Sequence, residues 1–195
     1  MPSGRFYALC LASYAAGALV TAYYLVRWRT GADLRAQGSG TLGARNAALV
    51  LGKAGAVVVA LVDLAKGVGV VLSARALGLE PAHGALAAAC ATCGHVWPPQ
   101  LGFRGGKGAS LAGGALIALD PAVAGLSLVV LALASALLGD TKRGGLVGFA
   151  AYPCIAFAWR GPGAAAWGQA LLSGLVLVAH RKDLVPEHRG GGTTT

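Results

Sequence analysis

Two glycine-rich loops carry the residues best suited to chemistry. The first reads Arg35-Ala36-Gln37-Gly38-Ser39-Gly40-Thr41-Leu42-Gly43-Ala44-Arg45-Asn46. Gly38, Gly40 and Gly43 allow positive φ and close backbone approach to a ligand. Exposed backbone N–H groups, the Ser39 hydroxyl and the guanidinium groups of Arg35 and Arg45 would then form an anion nest. A helix starting near Asn46 would add partial positive charge. A flexible turn accounts for the same glycines, so this loop alone does not specify a ligand. The second loop runs from Gly94-His95 through Pro98 to Phe103-Arg104-Gly105-Gly106-Lys107-Gly108. It is not a Walker A loop, because Gly108 follows Lys107 where that motif has Ser or Thr. Its chemistry is nonetheless similar, with glycine-exposed amides beside a mobile cation. Phosphate is the natural guest of both loops.

Two other interruptions carry charge. Asp63 and Lys66 lie three residues apart within an apolar stretch, hence on one helical face. An ionisable residue at mid-membrane costs roughly 2.5–3.5 kcal/mol, which makes the pair a functional candidate. Mutual neutralisation inside a helix bundle is the competing explanation. His180-Arg181-Lys182-Asp183 closes the last apolar stretch. Arg181 and Lys182 read as membrane-flanking cations, whereas His180 has an ordinary pKa suited to proton transfer.

The elements that must position these residues are read from hydropathy. The chain of 195 residues is 56% hydrophobic and only 12% charged, against about 25% charged in a soluble domain. Intrinsic disorder is excluded on the same figures. Gly is abundant, at 31 residues without a triplet period, and small residues let membrane helices approach closely. We therefore expect an all-α, polytopic integral membrane protein with about seven transmembrane helices. The apolar stretches run Phe6–Val26, Ala54–Ala74, His83–Trp97, Ala109–Leu119, Pro121–Leu138, Leu146–Trp159 and Gly163–Ala179. Residues 1–185 read as one domain, and 186–195 as a disordered tail.

The net charge of +9 would suggest nucleic acid in a soluble protein. Its distribution favours topology instead. Twelve cations fall on one side of the expected spans: Arg27, Arg29, Arg35, Arg45, Lys53, Arg104, Lys107, Lys142, Arg143, Arg181, Lys182 and Arg189. Three fall on the other: Arg5, Arg75 and Arg160. The positive-inside rule then puts the C-terminus in the cytoplasm and the N-terminus outside. No nucleic-acid partner is needed. Cys10, Cys90, Cys93 and Cys154 all sit in apolar stretches, and Cys90-Ala-Thr-Cys93 lacks the further ligands a zinc site requires. No metal is expected.

The two loops, the Asp63-Leu64-Ala65-Lys66-Gly67 segment and His180-Arg181, in this order and spacing, resemble the PlsY family. These are bacterial acyl-phosphate:glycerol-3-phosphate acyltransferases of the inner membrane, and the resemblance covers nearly the whole chain. It implies transfer of a fatty acyl group from acyl-phosphate to the sn-1 hydroxyl of glycerol 3-phosphate, giving lysophosphatidic acid. It implies no cofactor, and an active site facing the cytoplasm. Carried over by position, it puts Ser39, Lys107 and His180 in catalysis. Arg35, Gly38, Gly40, Gly43, Arg45, Asn46, His95, Arg104, Gly105, Gly106, Gly108 and Asp183 would bind substrate or phosphate. Ser39 could be a nucleophile only with a positioned base; binding phosphate or orienting the hydroxyl is the simpler role. The base is either His180 or a substrate phosphate oxygen. The chain departs from the family pattern at Thr41 (for Asn), Arg45 (for Thr), Arg104 (for Lys) and Asp183 (for Asn). A carboxylate at 183 beside phosphate needs a compensating cation, for which Arg45 is the candidate. These departures leave open a paralogue with another phosphorylated acceptor, and Asp63 with Lys66 leaves open a small transporter.

Overall fold

Small residues decide where the helices of this chain can touch. The computed structural model describes residues 4–184, and among them every regular element is helical. The expectation for 186–195 lies outside the described residues. The order is α1 (Gly4–Ala18), α2 (Thr21–Thr30), α3 (Ala44–Ala76), α4 (Pro81–Val96), α5 (Ala109–Leu119), α6 (Pro121–Leu138), α7 (Thr141–Arg160), α8 (Ala164–Ala179) and α9 (Arg181–Leu184). Short 3-10 turns at Leu34–Ala36 and Pro99–Leu101 interrupt the two loops.

α4 is the central post. Its Ala85, Ala87, Ala88, Ala91 and Thr92 are buried, and it packs against α1, α3, α5 and α8. Glycines pair reciprocally at the closest crossings. A Cβ on Gly17 of α1 would strike the Ala91 carbonyl, and one on Gly94 of α4 would strike that of Tyr14. Gly67 of α3 and Gly114 of α5 meet the carbonyls of Leu111 and Leu64 in the same way. Gly144 of α7 lies against the Ser135 backbone of α6. This is the small-residue packing expected where lipid supplies no hydrophobic driving force between helices.

The outer surface is apolar. Leu11 is 74% exposed and Leu137 86%, and Leu61, Leu133 and Val129 are likewise turned outward. Such a surface matches lipid rather than water. Gly4–Thr30, Ala44–Ala76 and Pro121–Leu138 are each long and apolar enough to cross a bilayer. The chain is an all-helical integral membrane protein.

Three elements differ from the sequence expectation. The stretch Phe6–Val26 is two helices, broken at Leu19-Val20. No Pro or Gly marks the break. Its freed carbonyls are taken from a distance, Ala18 by Gln100 Nε2 at 2.6 Å and Leu19 by Lys66 Nζ. α3 is two helical pieces that meet at a kink at Gly52 (φ 69°, ψ −176°); the second piece starts close to the expected Ala54, and the piece from Ala44 is the part the hydropathy reading lacks. α7 begins at Thr141 rather than Leu146, because the Asp140 side chain accepts from the Lys142 N–H at 2.7 Å and so caps an extra turn. At the other end of the bundle, Asp120 caps α6 through the Val123 N–H and pairs with Arg160 Nε at 2.7 Å.

Gly67 and Gly69 sit on the same helix but differ in surroundings, since nothing lies within 4 Å of a Cβ at Gly69. Gly67→Ala should cost roughly 1–3 kcal/mol by overpacking and lower the melting temperature in detergent. Gly69→Ala should leave it unchanged. Equal effects would contradict the close α3–α5 contact.

Candidate active site

Three helices begin at the same place. The first turns of α3 (Gly43, Ala44, Arg45, Asn46), α5 (Gly108, Ala109, Ser110) and α7 (Thr141, Lys142, Gly145) line one cavity of about 350 Å³. The N-caps of α3 and α5 are Gly43 and Gly108, and neither supplies a side-chain cap. Their first-turn amides are therefore available to an outside acceptor, and their dipoles add positive potential there. Lys107, Lys142, His180 and Asp183 complete the rim, with Ser39 and Thr41. Asp63 and His95 reach the cavity from α3 and α4, and Leu146 and Phe149 give it an apolar wall.

The two glycine loops are built differently from the nest expected of them. Gly105 N–H donates to Val96 O at 3.1 Å and Gly106 N–H to His95 O at 3.0 Å, while Gly105 O accepts from Leu42 N–H at 3.4 Å. Gly106 is packed on the His95 ring so closely that a Cβ would overlap Nε2. In the first loop Gly40 N–H donates to Gln37 O at 2.9 Å and Ser39 N–H to Asn46 Oδ1 at 3.1 Å. These glycines serve tight packing, and the free amides belong to the helix starts instead. Asn46 is the loop's clasp: buried, it also donates Nδ2 to Leu34 O and Gln37 O.

Arg35 is spoken for elsewhere. It pairs with Asp33 at 2.6 Å and lies over the Tyr23 ring; this side-chain contact and the Arg35 N–H hold Asp33 down at about 2. Arg35, Gly38, Gly40, Arg104, Gly105 and Gly106 do not line the cavity. Arg104 is exposed. Arg45 donates to Thr141 Oγ1 at 2.5 Å, tying α3 to α7. It is not the counter-ion of Asp183, contrary to the sequence expectation. That role falls to Lys107 and to Lys142, whose Nζ lies 2.8 Å from Asp183 Oδ1. Lys142 and Thr141 join the site without a sequence signal of their own, because a basic residue beside a span reads as topology and a lone Thr carries no motif. The Asp140 cap is the clue that a helix starts there.

Ser39 Oγ lies 2.8 Å from Thr41 Oγ1, so its hydroxyl partner is another hydroxyl rather than a base. His180 Nδ1 lies 2.8 Å from Val176 O. A carbonyl only accepts, so Nδ1 carries the proton and Nε2 keeps its lone pair. Burial, the largest influence, pushes the His180 pKa below its ordinary 6.5. Burial also raises Asp183, but the two lysines more than offset it and the net pKa lies below the ordinary carboxylate value.

Asp63 accepts from Thr21 Oγ1 at 2.6 Å, and Lys66 Nζ reaches Leu19 O, Thr21 Oγ1 at 2.8 Å and Asp63 at 3.4 Å. The pair and Thr21 close the break between α1 and α2. This pairing accounts for both charges within the bundle without a transport role. A second, largely apolar groove lies between α5, α6 and α7, lined by Gly113, Leu116, Leu131 and Tyr152, and shares Phe149 with the polar cavity.

The site is thus a cation-rimmed polar cavity entered by helix N-termini in an integral membrane protein, sharing Phe149 with an apolar groove. The glycerol-3-phosphate acyltransferase family model matches residues 7–187, and the chain belongs to that family. It is 35% identical over 177 residues to glycerol-3-phosphate acyltransferase 1 of Desulfitobacterium hafniense, covering 90% of this chain and 87% of that one. A Pseudomonas aeruginosa glycerol-3-phosphate acyltransferase is 38% identical over 180 residues, covering 90% and 92%. The crystal structure of PlsY, an integral membrane glycerol 3-phosphate acyltransferase in its glycerol 3-phosphate form, superposes with a TM-score of 0.83 at 25% identity, over 92% of this chain and 90% of that one.

Two outcomes follow from the geometry. Lys66→Met leaves Asp63 as a buried carboxylate without its cation and should destabilise the protein by about 3–5 kcal/mol, read by thermal melting. Asp63→Asn with Lys66→Met should recover most of the loss, and an unrecovered double variant would refute the pairing. For His180, a folded pKa below the ordinary 6.5 means the unfolded chain takes up the proton first. Its contribution to stability is intact above pH 6.5 and is lost as pH falls through the folded value. His180→Gln should flatten that acid limb of the melting profile.

Proposed function

We propose that the protein transfers a fatty acyl group from acyl-phosphate to the sn-1 hydroxyl of glycerol 3-phosphate, releasing phosphate and lysophosphatidic acid. One observation carries this reading: the uncapped starts of α3 and α5, with α7, meet Lys107 and Lys142 in a cavity that shares a wall with an apolar groove. Two phosphate-bearing substrates suit such a cavity, and an acyl chain suits the groove. The charge distribution supports a bacterial inner-membrane location, seven crossings, and loops facing the cytoplasm.

An acyl-phosphate is a mixed anhydride with a good leaving group. The enzyme's task is then to bring the glycerol hydroxyl to the carbonyl carbon and offset phosphate repulsion. The hydroxyl oxygen attacks the carbonyl carbon, the acyl C–O bond to phosphate breaks, and phosphate departs toward the lysines and helix amides. The hydroxyl proton passes to His180 Nε2, whose lone pair is free, or to a phosphate oxygen. Ser39 orients or binds; its pairing with Thr41 favours no covalent acyl-enzyme. Arg45, Asn46 and Gly43 shape the α3 start, and His95 with Gly106 fixes the Lys107 loop.

Purified protein in detergent or bilayer should form lysophosphatidic acid from acyl-phosphate and glycerol 3-phosphate. Lys107→Ala should raise the glycerol 3-phosphate KM by about ten- to hundredfold, the range of a charge-assisted hydrogen bond. Folded protein without turnover on glycerol 3-phosphate, but active on another phosphorylated alcohol, would transfer the mechanism to that acceptor.

A further inference from the structure

Asp183 stands where an incoming phosphate would be expected to sit. Its Oδ1 accepts from Lys142 Nζ at 2.8 Å and its Oδ2 from Lys107 Nζ. All three residues line the cavity entered by the helix N-termini. The lysines come from separate elements, Lys107 from the loop before α5 and Lys142 from the first turn of α7. The carboxylate thus presents two oxygens to two ammonium groups, as a phosphate would. It also neutralises part of the positive charge that the cavity would otherwise offer.

A phosphate dianion and this carboxylate cannot share the same two ammonium groups without strong like-charge repulsion. One must yield. Asp183 can do so by side-chain rotation alone, which withdraws the carboxylate while the bond from Asp183 N–H to His180 O at 2.8 Å stays in place. A role as general base fits the geometry poorly, since both carboxylate oxygens are held by cations and His180 offers an unencumbered lone pair.

We propose that Asp183 is an internal occupant of the phosphate seat, which a substrate phosphate displaces from Lys107 and Lys142. The proposal rests on the reading of this cavity as a phosphate site. It carries a quantitative signature. An internal competitor lowers the apparent affinity of every phosphate ligand by the same factor, the fraction of time the seat is free. A residue that touched the glycerol hydroxyls would affect glycerol 3-phosphate alone.

The test compares the wild-type chain with Asp183→Asn. The glycerol 3-phosphate KM and the inhibition constant of inorganic phosphate should both fall, by a similar factor of about three- to tenfold. Phosphate affinity should also become more sensitive to salt, because the seat gains net charge. A rise in either constant, unequal changes, or no change would overturn the proposal. Should Asp183→Asn fail to fold, the wild-type protein labelled with 13C-aspartate still decides. Phosphate should shift an aspartate carboxylate band in the infrared difference spectrum, and an unmoved spectrum would overturn it. If the wild-type protein makes no lysophosphatidic acid, the acyl-transfer reading fails. Calorimetric binding of inorganic phosphate to both chains then still reads the role of Asp183.

Discussion

A helix that starts inside a protein leaves amide donors that something must accept, and in a bilayer the alternatives to an internal acceptor are few. α3 and α5 begin at Gly43 and Gly108 without side-chain caps, and they do so at the same cavity as the start of α7. The rest of the structure follows from that convergence. The loops exist to bring the helix starts together: Asn46 clasps the first, and the His95–Gly106 corner folds the second against Leu42. Lys107 and Lys142 reinforce the positive potential that the dipoles create. The small-residue contacts around α4, α3 and α5 hold the helices near enough for three starts to share one space.

The charges of the chain are few, and most of those near the cavity are engaged. Asp63 and Lys66 close the break between α1 and α2 with Thr21. Arg45 ties α3 to α7 through Thr141, and Asp120 with Arg160 fastens the opposite end. In a low-dielectric setting an unpaired charge is costly, and the buried carboxylates Asp63 and Asp120 each have a cation beside them. The cavity is the place where cations and free amides outnumber the acceptors.

Much of the architecture was legible in the sequence. Asp120-Pro121 announces a helix start, because Pro suits the first helical position and Asp caps it, and α6 begins there. The loops and His180 were recognisable by residue type, and Ser39, Lys107, His180 and Asp183 do meet at one cavity. What was not legible depends on partners far away in the chain. The break at Leu19-Val20 lacks any local breaker and is held by Lys66 and Gln100. Glycine in a loop says only that a Cβ is absent; whether a ligand or a His95 ring takes the space is decided by tertiary packing. Lys142 was hidden because a cation beside a membrane helix already has a sufficient explanation in topology.

Phe149 belongs at once to the polar cavity and to the apolar groove between α5, α6 and α7. A molecule that is phosphate at one end and hydrocarbon at the other can therefore lie across that ring with neither end misplaced. On the proposed reaction, the product has no reason to pass through water. Its tail would already lie among hydrocarbon when the bond forms, so departure would be a lateral step into one leaflet, and its subsequent transport a matter of two-dimensional diffusion.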